Sequence, residues 1–309
     1  MARNMHRYEE LTPYEFDREK ERASIIYVAA GPLEYHEECN ILGLDTNKGY
    51  DWCLAAAELT GGIVFPMLPV APAGRPPFYS REDLRKAYSL PHYREEYAES
   101  FGSLYPGIFF SREACRALYL ELLEVLAEEL QFKLCVFIGS HGPAGRMLKQ
   151  IIAEETNAMD GRVGEFHGMR VIVSGSADYN RDVIEAFNKE NGIPKLFHGG
   201  LWETALNYAI KPDYFHPEML DETEYPQHFG PLREDYSEDP HRPSKGEFRK
   251  FSPEWARKLR EITVKRLVED VQKNYAENLV FCGDLCYNTI LVCSTLIESH
   301  EFAKIFMNC

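Results

Sequence analysis

Glu34, His36 and Asp45 are the residues of this chain whose types and spacing best suit chemistry. They follow Ser24 to Ala30, a short β-branched and apolar run closed by Gly31-Pro32. That pattern predicts a buried strand ending in a turn. Strand ends are where open α/β sheets place their ligand sites. Glu34 and His36 stand two apart, so on an extended segment they share a side. With Asp45 they offer mixed oxygen and nitrogen donors, which suits a divalent transition metal. The plain alternative is a solvated acidic loop.

Two further stretches carry chemistry. Lys133 to Ile138 reads as another buried strand, followed by Gly139-Ser140-His141-Gly142-Pro143-Ala144-Gly145. Two small residues before His141 allow a tight turn that brings the imidazole to the sheet edge. A helix then continues through Met147, Leu148, Ile151 and Ile152. The third stretch, Phe197 to Leu206, holds His198, Trp202 and Glu203. Glu203 falls on the first turn of a helix, where a carboxylate is also favoured by the helix N-terminus.

The elements that must position these residues alternate along the chain. Strands are predicted at 24–30, 63–70, 133–138 and 169–174. Helices are predicted at 48–59, 111–130, 178–188 and 253–273, with a helical lead-in at 5–23 capped by Thr12-Pro13. Such alternation gives a mostly parallel sheet. Residues 81–104 are charged and aromatic and read as an inserted helical segment. Residues 217–249 are polar and proline-rich and read as a surface or subunit wrap. The expected organisation is one domain over 1–309, with an insertion at about 79–104 and an extended C-terminal region at about 215–309. The sequence shows no internal repeat and no nucleotide-binding glycine loop.

Composition narrows the function classes. A formal charge of −15 argues against nucleic acid and against anionic membranes. No apolar run approaches the roughly 20 residues that span a bilayer. The first residues lack the apolar core of a signal peptide. The 8 cysteines are scattered, several within apolar runs, which points to reduced thiols in a cytoplasmic protein. Cys282 and Cys286 lack a second pair at zinc-finger spacing.

The three stretches together resemble the creatininase (creatinine amidohydrolase) family. Glu34, His36, Gly43 and Asp45 match its E-x-H-G-P-H-L-P-x-G-T-D signature, with Leu42 at a free position. Glu9 to Thr12 match its E-E-L-T opening, and Tyr105-Pro106-Gly107 its F-P-G-T element, with Ile108 in place of the threonine. His141-Gly142 match N-G-H-G-G-N. His198, Gly200, Glu203 and Thr204 match H-A-G-x-x-E-T-S-x-x-L, with Leu206 at a free position. There are two further departures. Gly74 to Pro77 replace a Gly-x-Ser-x-x-His element, and Pro143 stands where creatininase has a metal-binding glutamate.

The resemblance implies a three-layer α/β/α fold with a mostly parallel central sheet. It implies one or two divalent ions (Zn, Mn or Fe) on Glu34, His36, Asp45, His141 and Glu203, with Asp45 able to bridge. It makes His198 and Glu203 catalytic. Arg75, in a stretch that departs from the family, reads either as recognising an anionic group or as solvated, and Arg75, Trp202 and Pro143 are the candidate substrate-binding residues. It implies a small-molecule substrate and a homo-oligomer, hexamers being common in the family. The implied activity is metal-dependent hydrolysis of a non-peptide C–N bond, in a cyclic amide or formamide-like compound. The altered elements argue against creatinine itself. Two other readings are an isomerase or lyase acting on a sugar-like ligand with the same centre, and a non-catalytic binding protein on this scaffold.

Overall fold

All six residues of β1 (Ile25–Ala30) are buried, as are all six of β3 (Leu134–Gly139). Unbroken burial is the mark of strands covered on both faces. With β2 (Ile63–Val64), β4 (Val163–Phe166) and β5 (Met169–Gly175) they form one sheet in the order β2-β1-β3-β5-β4. The first four of these run parallel, and β4 pairs antiparallel to β5. The computed structural model describes residues 5–34, 36, 39–72, 108–156, 158–193, 199–216, 250 and 252–281. The predicted insertion and most of the predicted C-terminal region lie outside them.

Seven α-helices surround this sheet among the described residues: α1 (Pro13–Arg22), α2 (Leu44–Thr60), α3 (Arg112–Glu124), α4 (Gly142–Thr156), α5 (Arg181–Asn191), α6 (Leu201–Ile210) and α7 (Pro253–Phe281). Strand side chains alternate between faces, and the two cores follow that alternation. Ile25, Tyr27 and Ala29 pack with Trp52 and Ala56 of α2, Leu206 of α6 and Leu259 and Leu267 of α7. Ile26 and Val28 pack with Tyr119 and Leu123 of α3 and Leu148 and Ile151 of α4. The result is the three-layer α/β/α arrangement. None of the described helices is long and apolar enough to cross a membrane. Cys53, Cys115 and Cys135 are buried free thiols, and Cys39 is buried with its Sγ 4.0 Å from Thr204 Oγ1.

Local signals fix several boundaries. Thr12 and Glu15 form a reciprocal capping box at α1, with Pro13 in its first turn. Ser111 accepts the Ala114 N–H at the start of α3. Four elements differ from expectation. α2 begins at Leu44 rather than Lys48, so Asp45 sits in its first turn rather than on a loop. The strand expected over 63–70 shortens to Ile63–Val64 with one further bridge, Ala30 to Leu68. Pro66 and Pro69 have no N–H to extend the ladder. β4 was not expected; it is closed onto β5 by His167 (φ 48°) and Gly168 (φ 78°), which suit a tight primed hairpin turn. α7 runs on to Phe281.

The N-terminal segment is pinned beside β2. The Val64 N–H donates to the His6 carbonyl at 2.7 Å, and the His6 Nδ1–H donates to the Gly62 carbonyl at 2.8 Å. The same ring lies 3.6 Å from Glu19, which also takes two hydrogen bonds from Arg22. Bonding to Glu19 raises the His6 pKa above 6.5, burial opposing and the Gly62 carbonyl assisting. Burial would raise Glu19, but bonds from His6 and Arg22 prevail and lower it to about 2. A raised histidine stabilises fully below 6.5 and less as pH climbs through its folded pKa. A lowered carboxylate stabilises fully above 4.5 and less as pH falls towards 2. The stabilising effect of His6 should therefore peak between pH 4.5 and 6.5. Chemical denaturation of His6→Gln across pH should show a deficit of about 1 kcal/mol in that window, shrinking on either side.

Candidate metal centre

The loop after β1 is held at its base. The Glu34 N–H donates to the Leu42 carbonyl at 2.8 Å, and the Ile108 N–H donates to the Leu33 carbonyl at 2.7 Å. Asn40 donates from Nδ2 to the His36 carbonyl at 2.6 Å and to Thr204 Oγ1 of α6 at 3.0 Å. The His36 side chain is then oriented by its own loop. Its Nδ1–H donates to the Glu34 carbonyl at 3.0 Å, which leaves Nε2 as the ligand nitrogen. That nitrogen lies 3.5 Å from Asp45 Oδ1 and 3.8 Å from Glu203 Oε1.

Asp45 reaches the same place from the first turn of α2. Gly31 makes the approach possible, because a Cβ there would stand 2.9 Å from the Asp45 Cβ. His141 comes from the turn between β3 and α4. Its Nδ1 lies 3.1 Å from Asp45 Oδ2 and 3.2 Å from Glu34 Oε2. The Phe109 ring stands 6.2 Å from the His141 ring. Glu203, in the first turn of α6, divides its oxygens. Oε2 accepts the Gly199 N–H at 2.8 Å, and Oε1 faces the centre. Glu203 thus serves the helix N-terminus with one oxygen while the other lies 2.8 Å from Lys48 Nζ and 3.8 Å from His36 Nε2.

Four of the five expected ligands are almost wholly buried: His36, Asp45, His141 and Glu203. One ligand atom each from Glu34, His36 and Asp45 lies within 4.8 Å of the others. Oxygen and imidazole donors at this separation fit a divalent transition ion. The buried Nε2 of His141 has no hydrogen-bond partner among the described residues, a condition that calls for a ligand or water. Burial alone would lower the His36 pKa, but Asp45, Glu203 and Glu34 outweigh it and raise it to about 10. A cation and this proton compete for one nitrogen. Burial would raise Asp45, yet Lys48, His36 and His141 hold it well below 3.8.

Lys48 is the residue that sequence reasoning missed. Its side chain is fully buried, with Nζ 2.6 Å from Asp45 Oδ1 and 2.8 Å from Glu203 Oε1. The Trp202 ring lies 5.0 Å from it. Burial opposes its charge, but Asp45 and Glu203 raise its pKa above the ordinary lysine value. The available signal was the three-residue spacing from Asp45, which puts both on one helix face. Trp202, expected on the substrate side, is 8% exposed and packs in the core as well as against Lys48. Pro143 is buried in the first turn of α4. His198 and Arg75 lie outside the described residues.

This fold and donor set define an α/β protein with a candidate cation site at the carboxyl edge of a mostly parallel sheet. The chain belongs to the creatininase family, whose model, described as creatinine amidohydrolase, matches residues 9–271. Members of that family are hydrolases acting on amide bonds. The fold is similar to that of a creatinine amidohydrolase (creatininase) at 18% identity and TM-score 0.61, covering 87% of this chain and 98% of that one. A mutant creatininase described as Zn-Zn type aligns at 17% identity and TM-score 0.60, covering 89% and 99%. A creatininase described with Mn aligns at 16% identity and TM-score 0.59, covering 87% and 98%. No match was found among curated proteins.

Proposed function

We propose that this protein is a metal-dependent amidohydrolase that cleaves a C–N bond of a small, non-peptide amide. The observation that carries this reading is the convergence of Glu34, His36, Asp45 and His141 from the ends of β1 and β3 and the start of α2. These four residues would hold the ion. A divalent ion there polarises a carbonyl oxygen and brings the pKa of water towards neutrality.

The rest of the chemistry belongs to the chain. The Glu34 carbonyl fixes the His36 ring. The Asp45 and Glu34 carboxylates hold His141 in place. Phe109 screens His141 on one side with an apolar ring, and a drier site strengthens each electrostatic contact. His198 keeps the role that family resemblance gives it, moving a proton to the leaving nitrogen. Arg75, Trp202 and Pro143 are proposed to border the substrate. The named relatives with Zn and Mn support either metal in this site. We place the protein in the cytoplasm as a homo-oligomer, from its free buried thiols and its family.

The test is metal analysis of the purified protein together with turnover of a panel of cyclic amides, formamides and keto-sugars. Stoichiometric Zn, Mn or Fe, with amide hydrolysis abolished in His36→Ala, is the expected result. A folded protein that takes up none of these ions would overturn the reading. Turnover of the sugars alone would replace hydrolysis with isomerisation.

A further inference from the structure

The two oxygens of Asp45 face different surroundings. Oδ2 faces His141 Nδ1, which also meets Glu34. Oδ1 faces His36 Nε2 and the Lys48 ammonium, and Glu203 Oε1 completes that side. A second metal ion would need the two carboxylate oxygens on that side, Asp45 Oδ1 and Glu203 Oε1. The Lys48 Nζ already lies against both of those oxygens, at 2.6 and 2.8 Å.

Charge leads to the same conclusion. Among the described residues, Glu34, Asp45 and Glu203 bring three negative charges to the cluster, and Lys48 brings one positive charge. The remaining two negative charges match one divalent ion. A second ion beside the ammonium would leave the cluster with excess positive charge in a buried site, which is costly. Nor can the lysine swing out to water, since its side chain has no exposed surface. Trp202 supplies a ring face near the ammonium, a contact favourable to a cation.

We infer that Lys48 is a fixed, genetically encoded substitute for a second metal ion. On this view the centre binds a single divalent cation, held by Glu34, Asp45 and the two histidines. Glu203 anchors Lys48 instead of ligating metal, and Asp45 does not bridge two ions. The inference rests on the reading of this cluster as a metal site.

The test measures bound Mn and Zn per subunit by elemental analysis and native mass spectrometry. The wild type and Lys48→Arg should each bind one ion. Lys48→Met, which keeps the bulk and loses the charge, should rise to two. Two ions in the wild type, or one in a folded Lys48→Met, would overturn the inference while leaving the hydrolase reading intact. No ion in the wild type would overturn both. If Lys48→Met does not fold, the Mn(II) spectrum of the wild type decides by electron paramagnetic resonance. An isolated six-line signal is expected, and an exchange-coupled pair would refute the single-ion centre.

Discussion

Asp45→Asn should be the most damaging conservative substitution in this chain, costing about 3–5 kcal/mol of stability. The Asp45 carboxylate is 1% exposed and meets three basic groups: Lys48 at 2.6 Å, His141 at 3.1 Å and His36 at 3.5 Å. An amide of the same shape removes the charge and points N–H groups at donors. Among the described residues the buried ammonium then keeps Glu203 as its carboxylate partner. The deficit should depend on pH. Asp45 is held well below 3.8, so its stabilising charge is fully present above that value. It is lost as pH falls through the lower folded pKa. Urea titrations should therefore show the variant far below wild type at neutral pH and closer to it in acid. Metal uptake should vanish with the same substitution. An Asp45→Asn protein of wild-type stability that still binds metal would remove this residue from the centre.

Gly139→Ala should cost about 2–3 kcal/mol of stability. Gly139 ends β3, and a Cβ there would run into the backbone of Gly145 in α4. Neither side is a flexible side chain that could move away. Relief requires α4 to lift from the strand, and His141 lies in the turn between them. The variant should thus lose metal affinity as well as stability, although residue 139 is not one of the candidate ligands. Isothermal titration with Mn(II) beside a denaturation curve measures both. Loss of stability with unchanged affinity would show that His141 is positioned independently of this contact.

The three layers were legible because β1 and β3 are unbroken apolar runs and α3 carries leucines at helical spacing. The candidate ligands were legible because each follows a strand or opens a helix. Their environment was harder to read. α2 starts at Leu44 with Gly43 before it and no side-chain cap, so nothing local marks its first turn. The predicted helix therefore opens at Lys48, whereas Lys48 lies one turn into α2, buried against Asp45 and Glu203. Its burial depends on α6 bringing Glu203 from 155 residues away, a contact no local pattern encodes. β4 escaped notice because it is four residues long and contains a glycine, and strength comes from its pairing with β5.

α2 has a further consequence for how this protein can change. One buried rod carries Asp45 and Lys48 at one end and Trp52, Ala56 and Ala57 in the hydrophobic layer further along. Alterations to its polar end are transmitted directly to folding, so variation there is filtered by stability before catalysis is ever tested. New substrate preferences should accordingly be easiest to obtain by diversifying the segment that bears Phe109, beside His141, while α2 is left untouched.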